Sequence, residues 1–147
     1  MYKPEKIVWS ESDFEVMGWH DCVIYGIQFD DNIALDIDYI FKWVLDENSN
    51  TYKFWISPAT LIFKQPRNLK IDIDLEFVNG LEIAYLYQKE LENKEYEYHI
   101  ETQEGDIRLT ATGYQQHIRK DPILKTSQCL TEEEREGYKT EIKLKTV

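Results

Sequence analysis

No run of this sequence is apolar over the roughly 20 residues that a membrane-spanning helix needs. Met1 to Ser10 contains no apolar core of the kind a secretory leader carries, so a signal peptide is not expected. Cysteine is nearly missing. Cys22 and Cys129 lie far apart and fit neither a CxxC nor a zinc spacing, so a reduced pair in the cytoplasm is the expectation. Glycine is sparse and scattered, at 18, 26, 80, 105, 113 and 137, with no GxGxxG and no Walker A loop. That speaks against phosphate or nucleotide chemistry. Basic residues are outnumbered: 17 Lys and Arg face 28 Asp and Glu, a net charge of −11. Residues 1–114 carry 10 basic and 22 acidic side chains, net −12, whereas residues 115–147 carry 7 and 6, net +1. Such a field repels nucleic acid and anionic membranes and attracts cations and basic protein surfaces. The plainer use of the same charge is solubility.

What the chain does have is aromatic and β-branched content. Aromatics are 14% of the 147 residues, with 10 Tyr and 4 Trp, and hydrophobic residues are 42%. The length fits one domain, 1–147, able to bury a core without staples. Alternation with period two is the dominant pattern. Leu35, Ile37, Tyr39, Phe41 and Trp43 share one face, opposite Asp36, Asp38 and Lys42, with Ile40 as an apolar exception. Leu69, Ile71, Ile73, Leu75 and Phe77 alternate with Lys70, Asp72, Asp74 and Glu76; a 3.6-residue period would mix those sets. Strands are also expected over Val23–Phe29, Leu81–Gln88, Glu95–Glu101 and Ile107–Thr112. Tyr52 to Lys64 is apolar but holds Ser57-Pro58, which predicts two short strands or one kinked strand.

Turn residues separate these runs at Asp30-Asp31-Asn32, Asp46 to Asn50, Asn79-Gly80 and Glu104-Gly105-Asp106. Asn79-Gly80 predicts a type I′ hairpin joining Leu69–Phe77 to Leu81–Gln88. Thr131 followed by Glu132, Glu133 and Glu134 predicts a capping box and a short helix ended by Gly137. Tyr138 to Val147 alternates weakly, as an edge strand would. The expectation is an all-β antiparallel sandwich or barrel of about seven to eight strands, with one short C-terminal helix.

Chemistry-bearing groups are few. His20 and Asp21 are adjacent in Trp19-His20-Asp21 just before a strand; side chains of neighbouring extended residues diverge, and no nucleophile sits beside them, so a structural role is expected. His99 lies on a glutamate-rich polar face. With His117 the three histidines match no zinc signature, and no metal or cofactor is expected. Cys22, in apolar surroundings, is expected to be inert. The acidic stripe is the most informative group: Asp36 and Asp38 on one strand, Asp72, Asp74 and Glu76 on another, and Glu95, Glu97 and Glu101 on a third. It reads either as a solvated sheet face or as a docking surface for a basic partner; Asp-x-Asp in a regular strand lacks the loop that gathers calcium ligands.

Several stretches resemble small uncharacterised bacterial all-β proteins. The residues that carry the likeness are Trp19-His20-Asp21 leading into Val23–Phe29, and Leu35-Asp36-Ile37-Asp38-Tyr39 ending at Trp43. Phe54-Trp55, Pro58-Ala59-Thr60-Leu61 and Gly113-Tyr114 with Arg119 belong to the same likeness. A His-Asp pair opening the first strand is also similar to some immunity proteins of bacterial toxin systems. The resemblance implies a bacterial cytosolic protein that neutralises a toxin. The leading expectation is therefore a non-enzymatic acidic binding protein that occludes a basic toxin surface through Asp36, Asp38, Asp72, Asp74 and Glu76. The alternative is a small-molecule binder or enzyme with a pocket near His20, Trp43, Trp55, His117 and Arg119. A monomer or a homo-oligomer pairing through an edge strand fits either reading.

Overall fold

The structure is a computed structural model and describes residues 1–78 and 80–136. Among these residues ten strands form one antiparallel sheet: β1 Val8–Ser10, β2 Val23–Phe29, β3 Ile33–Asp46, β4 Thr51–Lys64, β5 Arg67–Ile73, β6 Leu81–Glu90, β7 Tyr96–Thr102, β8 Gly105–Ala111, β9 Gly113–Ile118 and β10 Ile123–Lys125. The order is β1-β9-β4-β3-β2-β6-β7-β8-β5, with β10 attached to β4. The all-β antiparallel expectation is met. Its count of seven to eight strands is corrected to ten, and the sheet is open.

The sheet has a weak seam. β2 and β6 share only the pairs Val23↔Glu82 and Ile24↔Leu81, supported by backbone bonds from Ile83 to Cys22 and from Asp21 to Ile83, both 2.8 Å. At that seam the two halves turn towards each other. The ring of Phe63 on β4 meets Tyr98 on β7 at 4.9 Å, and Tyr98 meets Tyr114 on β9 at 6.0 Å. Leu35, Ile37 and Leu61 on one half and Ile83, Ile100, Ile107 and Leu109 on the other fill the space between, all at most 2% exposed. Each such side chain contributes about 1.5–3 kcal/mol on leaving water.

Two local expectations are corrected and one is narrowed. First, of the two readings at Ser57-Pro58, two short strands or one kinked strand, a single strand is found: β4 runs through Pro58. The Pro58 carbonyl accepts from Arg119 N, so its donor-less nitrogen points to that same side. There the partner of β4 changes from β10, at Phe54–Ile56, to β9, at Ala59–Lys64, and no ladder bond is lost at the gap. Second, Asn79-Gly80 does not join neighbours: β5 pairs with β8, while β6 pairs with β2 and β7. Three hairpin-linked strands, with β5 brought round beside the last, make a Greek-key arrangement that a local turn signal cannot reveal. Third, β5 ends at Ile73, and Phe77, counted among the strand's inward residues, is 84% exposed. Asn79 itself, Gly137 as helix terminator and the alternation of Tyr138 to Val147 lie outside the described residues.

The helix expectation holds at its start. In α1, Glu132–Arg135, Thr131 Oγ1 accepts from Glu134 N at 3.2 Å and Thr131 N donates to Glu134 Oε1 at 2.8 Å. A hydrogen bond from Lys125, followed by the Thr131 N–H, pulls the Glu134 carboxyl down from 4.5 to about 2. A depressed carboxyl stabilises the fold above its unfolded value and ceases to do so as it protonates. The stability difference between wild type and Glu134→Gln is therefore expected to be full above pH 4.5 and to close as pH falls towards 2. Paired thermal melts across that window check it.

Candidate functional site

The acidic stripe divides in two. Asp36 and Asp38 are fully buried on the outer face of β3, where residues 119–136 cover them. Asp36 Oδ1 accepts from Thr60 Oγ1 at 2.8 Å and Arg119 Nη1 at 3.0 Å, and its Oδ2 from Gln28 Nε2 at 2.8 Å. Asp38 Oδ1 accepts from Arg135 Nε at 3.0 Å, and its Oδ2 from Arg135 Nη2 at 2.5 Å and Leu130 N at 3.1 Å. The Tyr25 ring lies 4.0 Å from the Arg135 guanidinium, and the Tyr25 hydroxyl accepts from Arg119. Burial pushes the Tyr25 phenol up to about 12, against the opposing pull of Arg119, so it stays protonated. Each carboxylate accepts three bonds, as a buried charge must. The expectation of Asp36 and Asp38 as a partner-facing surface is thereby corrected: they form a latch that holds the C-terminal segment on the sheet. The compensating cations come from Arg119 and Arg135, 83 and 97 residues away in sequence, which is why alternation alone could not place these aspartates inside.

Asp72, Asp74 and Glu76 are exposed. The ladder registers of β6, β7, β8 and β5 set the outer face of this half as a grid. One row reads Tyr85, Glu101, Asp106, Asp72 and the next Tyr87, His99, Arg108, Lys70. Three carboxylates thus stand side by side with no cation in their own row. Directly opposed like charges cost about 0.2–1 kcal/mol each. Arg108 and Lys70 in the next row offset part of that cost, His99 Nε2 lies 2.6 Å from Asp106 Oδ1, and Tyr87 OH donates to Glu101 at 3.1 Å. Along the chain beyond the end of β5, Asp74 and Glu76 line, with Glu104, a notch of about 300 Å³. Glu104 Oε2 is buried there without a hydrogen-bond donor among the described residues. Burial raises the Glu82 carboxyl, and the charges of Asp21 and Glu104 raise it further against the opposing pull of His20. The sequence groups Glu101 with Glu95 and Glu97 on a third acidic strand but does not reveal Asp106 or Glu104; the β7–β8–β5 register is what sets Glu101 and Asp106 beside Asp72.

The five pocket candidates separate. His20 and Trp43 stack at 6.3 Å and line one groove. Trp55 stacks on Tyr2 at 6.2 Å. His117 is buried in β9 beside Gln115, and the Arg119 guanidinium is engaged at Asp36. Among the described residues no group of three or more His, Cys, Asp or Glu side chains is placed to hold a metal ion, and no helix is long and apolar enough to cross a membrane. Cys22 is buried, and desolvation lifts its thiol to about 12, which leaves it unreactive at neutral pH.

His20 and Asp21 do approach one another, at 3.6 Å between Nε2 and Oδ2. The extended backbone assumed from sequence fails here, because Asp21 has φ 66° in a turn. Their other bonds are structural. His20 Nδ1 meets the Ala84 carbonyl at 3.0 Å, and Asp21 Oδ2 accepts from Gln128 at 3.2 Å, tying the C-terminal segment to the seam. Asp21→Ala is expected to lower stability by about 1–3 kcal/mol, through the lost bond and an unfavourable left-handed alanine. His20→Ala, at an exposed ring, is expected to change it by no more than about 0.5 kcal/mol. Denaturant midpoints of the two variants check this pair of outcomes; the reverse ranking would make the histidine the structural member.

The chain matches no protein-family model, no curated protein and no solved structure.

Proposed function

We propose that this chain is a non-enzymatic binding protein whose docking surface is the acidic outer face of β5–β8, and that its partner is a basic protein. The row of Glu101, Asp106 and Asp72 in register is the observation that carries this reading. Directly opposed like charges are destabilising, and a partner's Lys or Arg side chains relieve the repulsion on binding. Tyr85 and Tyr87, 56% and 46% exposed at the end of the two rows, supply the rigid amphipathic contact area that interfaces favour.

The mechanism is electrostatic occlusion of the immunity type. A toxin that cuts nucleic acid presents a basic groove, and an acidic sheet face fills that groove in place of the phosphates. Charge steering makes such pairs associate rapidly, and high salt slows them. The test is affinity capture with the wild type and with a Glu101→Lys/Asp106→Lys/Asp72→Lys variant, followed by titration of the purified captured protein. A basic protein held by the wild type and lost by the variant supports the reading. Retention by the variant at unchanged affinity contradicts it.

A further inference from the structure

β2 accompanies β3 only as far as the pair Val23↔Asp38, and no strand among the described residues pairs with that side of β3 from Tyr39 onwards. The register of β3 then shifts between Ile40 and Lys42, so that Phe41 has no partner on β4. The result is a groove of about 270 Å³ walled by Tyr2, Trp9, Tyr39, Phe41, Trp43 and His20. Phe41 is the hub, with ring centroids 5.6 Å from Tyr2, 6.4 Å from Trp9 and 4.9 Å from Tyr39; the stacked pair of Trp43 and His20 forms the other wall.

We infer that this groove is a binding site for a small quaternary ammonium compound. Two observations choose that chemistry. Aromatic faces carry negative potential and attract cations, and the chain around them bears a net charge of −11. Three polar atoms of the walls are also already engaged. Trp9 Nε1 donates to the Lys6 carbonyl, Tyr39 OH accepts from Gly18 N, and His20 Nδ1 is bonded to the Ala84 carbonyl. A primary ammonium leaving water needs acceptors for its three N–H groups, and the three engaged atoms do not supply a full set. A trimethylated nitrogen has no N–H, sheds its water at lower cost and is satisfied by ring faces alone. The Lys6 ammonium, 5.6 Å from the Trp9 ring, is neutralised by Asp13 at 2.5 Å and does not set up a competing positive field. The groove is several waters in volume, enough for a trimethylammonium head. This site stands apart from the β5–β8 face, and its success or failure leaves the docking reading untouched.

The experiment is a calorimetric and tryptophan-fluorescence titration of the full chain with choline, its neutral isostere 3,3-dimethylbutan-1-ol, and ethanolamine. Choline is expected to bind about tenfold or more tighter than either, since a desolvated cation–π site is worth about 2 kcal/mol. Trp43→Ala is expected to weaken choline binding by about tenfold, whereas Trp43→Phe keeps most of it. Trp43 is 38% exposed, and matched melting curves establish that both variants are folded before titration. Equal binding of the neutral isostere, equal binding of ethanolamine, unchanged choline binding in folded Trp43→Ala, or no binding of choline at all would each overturn the inference.

Discussion

Asp38→Ala is expected to cost about 3–5 kcal/mol, a large part of the 5–15 kcal/mol that holds a domain of this kind together. The cause is the charge left behind. Arg135 makes two bonds to Asp38, at 3.0 and 2.5 Å, and without that carboxylate its guanidinium stays against Tyr25 with no counter-ion. Leu130 N also loses its acceptor in a buried setting. Asp36→Ala is expected to act in the same way through Arg119, whose side chain is 7% exposed. Burying an ion pair is itself expensive, so removing both partners is gentler than removing one. An Asp38→Leu/Arg135→Met double variant is therefore expected to recover much of the loss. Urea denaturation of the two single variants and the double gives the coupling energy. A single-variant loss below about 1 kcal/mol would place the latch among solvent-exposed pairs of little consequence.

Tyr98→Ala is expected to cost a similar amount, about 3–5 kcal/mol, by opening a cavity where the two halves of the sheet meet. The Tyr98 ring touches Phe63 across the core and Tyr114 beside it, and nothing of it is exposed. With only two residue pairs at the β2–β6 seam, side-chain packing carries most of the hold between the halves. Tyr98→Phe keeps the ring and loses only the bond from its hydroxyl to Gln88 Oε1, 2.6 Å long, so its expected cost is about 0.5–1.5 kcal/mol. Thermal melts of the two variants separate packing from hydrogen bonding. Equal losses would show that the hydroxyl, and not the ring, holds the halves together.

The sheet was legible in the sequence wherever one face is solvated. The alternation over Tyr96–Glu101 and Ile107–Thr110 matches the burial of β7 and β8 residue by residue, with Tyr98, Ile100, Ile107 and Leu109 inside. It misled where both faces are covered. Asp36 and Asp38 alternate like solvent-facing residues, and β9 hides Gln115, Gln116 and His117 in a run with no apolar pattern. Polar side chains inside a protein are invisible to a hydrophobicity rule, because what satisfies them, such as the bond from Trp19 Nε1 to Gln116 Oε1, comes from 97 residues away. Turn chemistry was reliable for hairpins at Asp30–Asn32, Asp46–Asn50 and Glu104–Asp106, and failed at Asn79-Gly80, where the chain crosses between strands that never pair. For the candidate surface, Asp72, Asp74 and Glu76 could be picked out by type. So could Glu101, but its place beside Asp72, and the membership of Asp106, needed the register.

The most direct test of the docking surface is the association rate of the purified captured protein at several salt concentrations. It should be measured against the wild type, the Glu101→Lys/Asp106→Lys/Asp72→Lys variant, and a control with Asp30→Lys/Asp31→Lys in the β2–β3 turn. The three carboxylates act by steering, so the wild-type rate is expected to fall steeply as salt rises. The β5–β8 variant is expected to associate at least about tenfold more slowly at low salt, with little salt dependence left, while the control stays near the wild type. A rate that ignores reversal of Glu101, Asp106 and Asp72, or that falls equally when Asp30 and Asp31 are reversed, would contradict the assignment of this face.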